Sequence, residues 1–164
     1  MSRLLLLLRH AKSDWHSGVL NDHGRPLNER GRRDAPRIGA WIANSGYLPD
    51  QIFCSDAKRT CETLELILST PEWQNHQPAI SYSHQLYMSS TKSVLEIIQS
   101  NWGKDDTLMV VGHNPTMDQL LIHYCPEARG NQSGKLMTTA TLAVIETTNE
   151  EHSRLLELIR PSEL

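Results

Sequence analysis

Two arginines and two histidines stand where one chain could bring them to a single anion. Arg9-His10 ends the apolar run Leu4 to Leu8, Gly112-His113 ends Thr107 to Val111, and Arg59 lies just past Gln51-Ile52-Phe53-Cys54. Arginine's planar fork matches two phosphate oxygens at once. A neutral histidine in the right tautomer can attack phosphorus. The Arg-His pair alone is a weak signal: with 11 arginines and 8 histidines in 164 residues, chance supplies about 0.5 of them. Each of these residues alone reads more readily as a loop-end surface group. Their coincidence at three strand ends, two of them opening helices, outweighs that reading, because helix N-termini offer unpaired N–H groups to anions.

The elements that must position them follow from pattern. Five consecutive leucines have neither helical nor alternating period, so Leu4 to Leu8 reads as a strand buried on both faces of a parallel sheet. Its carboxyl end is then the ligand edge of an open α/β fold. Asn28 caps a helix that stops at Gly46, with Ile38, Trp41 and Ile42 on its apolar face and Pro36 kinking or interrupting it. Gln51 to Cys54 is a second strand, followed by a helix capped by Ser55 or Asp56 with Leu64, Ile67 and Leu68 inward. Ala79 to Tyr82 is a possible strand and Ser93 to Trp102 an amphipathic helix. Asn114 as cap and Pro115 at the first helical position open a helix to Tyr124, and Thr141 to Glu146 and Leu155 to Ile159 close the sheet, the second at an edge. Trp41, Trp73 and Trp102 are assigned to packing. Alternating strands and helices predict a three-layer α/β/α sandwich, one domain over residues 1–164.

Composition narrows the partners. A net charge of −3 carries no polyelectrolyte signature, so nucleic acid is not expected. The leucine run is too short for a signal-peptide core or a membrane span. Cys54, Cys61 and Cys125 form no metal-like pair and fit a reducing compartment, so a cytoplasmic, monomeric protein is expected. His16, His23, His76, His84, His123 and His152 show no zinc-like spacing, and no metal site or cofactor is predicted.

The chain resembles the histidine phosphatase superfamily, the phosphoglycerate mutase-like group, and most closely its SixA-type phosphohistidine phosphatases. The resemblance rests on Leu8-Arg9-His10-Ala11-Lys12-Ser13, on Asp22 with Arg25-Pro26-Leu27-Asn28-Glu29-Arg30-Gly31, on Pro49-Asp50 with Ser55-Asp56-Ala57-Lys58-Arg59-Thr60 and Thr63, and on Val111-Gly112-His113-Asn114-Pro115. It implies a mostly parallel mixed sheet of about six strands. It makes His10 the nucleophile, with Arg9, Arg59 and His113 holding the phosphoryl oxygens, and it implies no cofactor. Ala11 replaces the superfamily's usual glycine, a change familiar among SixA-like members. Where broader relatives carry a phosphate-contacting asparagine this chain has Trp15-His16, which makes His16 a candidate oxygen contact; Ser13 could donate to phosphate as well.

Those broader relatives also supply a carboxylic acid from mid-chain, and the matching stretch Gln85 to Ser90 contains none. Expelling an alkoxide from an ester needs a proton donor, typically worth 10²–10⁴-fold. Transfer between two imidazoles needs far less. The expected substrate is therefore a phosphohistidine on a signalling protein such as a phosphotransfer domain. A general phosphomonoesterase and a non-catalytic phosphate-binding module are the alternatives. Asp14 and Asp22 are the loop carboxylates that could supply the acid, although such residues usually serve turns and caps, and Asp22 could equally pair with Arg25.

Overall fold

A computed structural model describes residues 2–103, 106–149 and 151–164. Six strands form one sheet in the order β3-β2-β4-β1-β5-β6. They are β1 (Arg3–Arg9), β2 (Gln51–Ser55), β3 (Ala79–Ser83), β4 (Thr107–Gly112), β5 (Leu142–Asn149) and β6 (His152–Ile159). The first four are parallel, while β5 runs antiparallel to β1 and β6 to β5, so the sheet is mixed and β6 lies at an edge as predicted. The helices are α1 (Glu29–Asn44), α2 (Lys58–Leu68), α3 (Thr91–Asn101) and α4 (Thr116–Tyr124).

The leucine run explains the layering. Leu5 to Leu8 are completely buried, two to each face. Leu5 and Leu7 pack with Val94, Ile98, Leu120 and Leu121 of α3 and α4. Leu6 and Leu8 pack with Ile38, Ile42, Leu64 and Ile67 of α1 and α2. Each buried leucine contributes roughly 1.5–3 kcal/mol, so this strand anchors both cores. No described helix is long and apolar enough to cross a membrane.

Asn28 caps α1 through a bond accepted from the Gly31 N–H at 2.9 Å. The helix then runs unbroken through Pro36, so of the expected kink or interruption the interruption is absent. Gly31 is required for close approach, because a Cβ there would lie 2.1 Å from the Lys12 carbonyl oxygen. Two cap assignments need correction. Ala57, not Ser55 or Asp56, is the cap residue of α2, although Ser55 Oγ accepts from the Ala57 N–H at 3.2 Å. Pro115 sits at the cap of α4 instead of its first helical position, and Asn114 Oδ1 reaches over it to accept from the Asp118 N–H at 3.1 Å. Trp73 is buried, its indole N–H donating to the Gly39 carbonyl at 2.7 Å.

Candidate active site

Register brings the chemistry together. Arg9 pairs with Gly112 and Cys54 with Val111, so the carboxyl ends of β1, β4 and β2 are neighbours. Arg9 and His10, then His113, then Ser55 therefore emerge side by side. The His10 N–H extends the ladder to the Gly112 carbonyl at 3.1 Å, and the Ala140 N–H is shared between the Arg9 and His10 carbonyls. A cavity of about 280 Å³ opens at this edge, lined by Arg9, His10, Ser13, Arg25, Arg59 and His113 among others.

The tautomer of His10 follows from its partner. Nδ1 lies 2.7 Å from the Ala11 carbonyl oxygen, which can only accept, so Nδ1 carries the hydrogen. Neutral His10 then keeps its lone pair on Nε2. Burial, reinforced by neighbouring His113, Arg59 and Arg9, pushes its pKa down to about 3, so the ring is neutral at physiological pH. The Ala11 N–H is held by Thr63 Oγ1 at 3.0 Å, and that hydroxyl donates to the Arg59 carbonyl at 2.7 Å, tying the His10 loop to α2.

His113 stands beside it, ring centroids 5.2 Å apart, with Nε2 2.8 Å from Ser55 Oγ. Burial and Arg59 push its pKa down to about 4. Its Nδ1, and the Nε atoms of Arg9, Arg25 and Arg59, are buried without a hydrogen-bond partner among the described residues. With the guanidinium groups of Arg9, Arg25 and Arg59, the cavity has a cationic lining of the kind that matches an oxyanion.

Asp22 also lines this cavity. Its carboxylate accepts from Tyr87 Oη at 2.6 Å, from Arg25 at 3.0 Å and from Arg59 at 3.0 Å. The Tyr87 bond, then those to Arg25 and Arg59, hold it well below the usual carboxylate range despite an opposing effect of burial. The same Tyr87–Asp22 bond raises the phenol.

Of the predicted set, Arg9, His10, Ser13, Arg59 and His113 converge on the cavity. Ser13 Oγ accepts from Arg25, so its hydroxyl is already engaged with a cation. His16 is corrected: it lies exposed on its loop, outside the cavity lining, with its N–H turned to Asp14 Oδ1 at 2.7 Å. Arg25 pairs with Asp22 as foreseen, yet it also enters the cavity as a third arginine, its guanidinium 3.6 Å over the Trp15 ring. Ser55 and Tyr87 were not foreseen as site residues. The position of Ser55, at a strand's carboxyl end four residues before Arg59, was the available signal for it.

The family model of the histidine phosphatase superfamily, branch 1, matches residues 5–80. A chloroplast protein of Arabidopsis thaliana is 38% identical over 120 residues, covering 70% of this chain, and the match spans 55% of that relative's own length. Among solved structures, the provisionally named phosphohistidine phosphatase SixA of Agrobacterium tumefaciens superposes with a TM-score of 0.81 at 30% identity, over 97% of this chain and 98% of that one. The protein histidine phosphatase SixA complexed with tungstate gives 0.79 at 18% identity over 97% of both chains, a likeness of fold.

Proposed function

This chain belongs to the histidine phosphatase superfamily, and from that premise we propose that it dephosphorylates a phosphohistidine on a signalling protein through a phosphorylated His10. The observation that carries the reading is His10 itself: Nδ1–H fixed on Ala11, which leaves the lone pair on Nε2, in a cavity that Arg9, Arg25, Arg59 and His113 also line. His10 Nε2 forms a bond to phosphorus as the substrate's N–P bond breaks, and the leaving imidazole takes its proton from solvent. Arg9, Arg59 and His113 meet the charge on the equatorial oxygens, the usual source of catalysis in phosphoryl transfer. Water then attacks phospho-His10 and releases phosphate.

Two adjoining hollows suit a protein-borne substrate. The cavity of about 280 Å³ shares Arg59, His113 and Asn114 with a neighbouring hollow of about 340 Å³ that Met88, Pro115 and Gln119 also line. A phosphorylated imidazole would fill the first and its main chain lie along the second.

One observation favours a second reading, a phosphomonoesterase on small molecules: Asp22 places a carboxyl group in the cavity. Its bonds to Tyr87, Arg25 and Arg59 keep it ionised, so it is a poor proton donor near neutral pH. The test offers wild-type protein a phosphohistidine-bearing phosphotransfer domain and, separately, an aryl phosphate. Phosphohistidine should be preferred in kcat/KM by about 10² or more, the low end of what a missing general acid costs an ester. Faster ester hydrolysis with an inert phosphohistidine reverses the choice. Asp22→Asn supplies an independent check: ester hydrolysis should change by less than about tenfold, whereas loss of a true general acid costs at least about 10².

A further inference from the structure

Beside the cavity lies a second cluster that phosphoryl transfer does not use. His23, Asp56 and His84 are 33 and 28 residues apart in sequence, yet the fold places one ligand atom from each within 4.8 Å of the others. His23 Nε2 stands 2.8 Å from Asp56 Oδ1. His84 Nδ1 stands 3.2 Å from Oδ1 and 3.1 Å from Oδ2, facing the open mouth of the carboxylate. Three donor atoms this close together are within reach of one ion.

We propose that His23 Nε2, His84 Nδ1 and the Asp56 carboxylate bind a zinc-class divalent cation. Two imidazoles and one carboxylate are the donors that such ions take. The nitrogens now sharing hydrogens with Asp56 become the ligands, and each neutral ring carries its proton on the other nitrogen. The side chain of His84 is 73% exposed, so solvent has access to complete the coordination shell.

The backbone fixes the three donors from separate segments. The Asp56 N–H donates to the Ser83 carbonyl at 3.3 Å, and the Lys58 N–H donates to the His23 carbonyl at 2.9 Å. Tyr87 walls the cluster, its ring edge-on to His23 at 4.8 Å. The ion cross-links the loop before α1, the start of α2 and the turn after β3. Because Tyr87 also bonds Asp22, the ion steadies one wall of the phosphate cavity without touching it.

The test titrates purified wild-type protein with Zn²⁺ against a chromophoric chelator and follows Tm with and without Zn²⁺. One equivalent should bind and Tm should rise. His84→Ala changes an exposed side chain and Asp56→Asn keeps the shape of its residue, so both variants should fold. Each should weaken binding by more than the roughly tenfold that even an outer-shell partner of a metal typically costs, and neither should keep the Zn²⁺-dependent rise in Tm. Absence of Zn²⁺ binding to wild type at micromolar concentration overturns the proposal. So does binding that both variants retain, which would move the ion elsewhere, for instance to Cys61.

Discussion

His10→Ala should abolish turnover while leaving the fold intact. Removing a nucleophile that works as part of a unit costs on the order of 10⁶-fold elsewhere, and a loss of at least about 10⁴ is expected here. The fold should survive because the backbone bonds of residue 10 to Gly112 and Ala140 do not involve the ring. The side chain's own hydrogen bond goes only to the adjacent Ala11 carbonyl. Phosphate release from a phosphohistidine protein and acid-labile labelling of the enzyme should vanish together, with an unchanged circular dichroism spectrum. Labelling that persisted in the variant would place the phosphoenzyme on another residue.

The same residue fixes a pH dependence. Burial, with His113, Arg59 and Arg9, lowers its folded pKa to about 3, against roughly 6.5 for an unperturbed histidine. The proposed nucleophile is therefore neutral across the neutral range, and kcat/KM should show no His10 ionisation near 6.5. The sign for stability follows by linkage. The unfolded chain protonates first, so His10's contribution is intact above about 6.5 and is lost as the pH falls toward 3. An acid limb in kcat/KM centred near 6.5 that coincides with the His10 ring's own titration, followed by NMR, would contradict this environment.

What the sequence revealed was what strand ends can carry. Arg9-His10 and Gly112-His113 follow apolar runs directly, and the register that makes them neighbours is inherent in a parallel sheet whose strands end level. Arg59 was legible for the same reason, in the first turn of the helix after β2. The loop between His10 and Asn28 was not. The resemblance makes His16 a candidate phosphate contact by its offset from His10, but in irregular backbone an offset fixes no direction, and His16 turns outward while Arg25 turns in. Pro36 was ambiguous because proline removes a helical donor, and the tertiary packing of Ile38 and Ile42 holds α1 together regardless. Contacts that need the closed fold left no local trace. Tyr87 meets Asp22 across 65 residues, and His23 and His84 meet at Asp56.

Arg59→Ala is the second substitution expected to have a large effect, and its geometry explains why. The guanidinium is held at both ends, Nη1 donating to the Asp22 carbonyl at 2.8 Å and Nη2 to Asp22 Oδ2 at 3.0 Å, while Nε has no partner. Asp22 thus occupies in the resting protein part of what a phosphoryl group would claim. Binding a dianion must reorganise that pair, and Tyr87 and Arg25 remain to satisfy the displaced carboxylate. Alanine removes the donor proposed to meet charge in the transition state, so kcat/KM should fall by at least about 10²-fold, the cost of one preorganised donor. Because Asp22 keeps two other partners, Tm should fall much less than it would for an abandoned buried charge. Arg59→Lys separates charge from shape: a point charge restores attraction but not the two-pronged grip. It should recover inhibition by inorganic phosphate more fully than it recovers kcat. If Arg59→Ala stayed within about threefold of wild type, the arginine would be only Asp22's counterion, and the oxyanion would rest on Arg9, Arg25 and His113 alone.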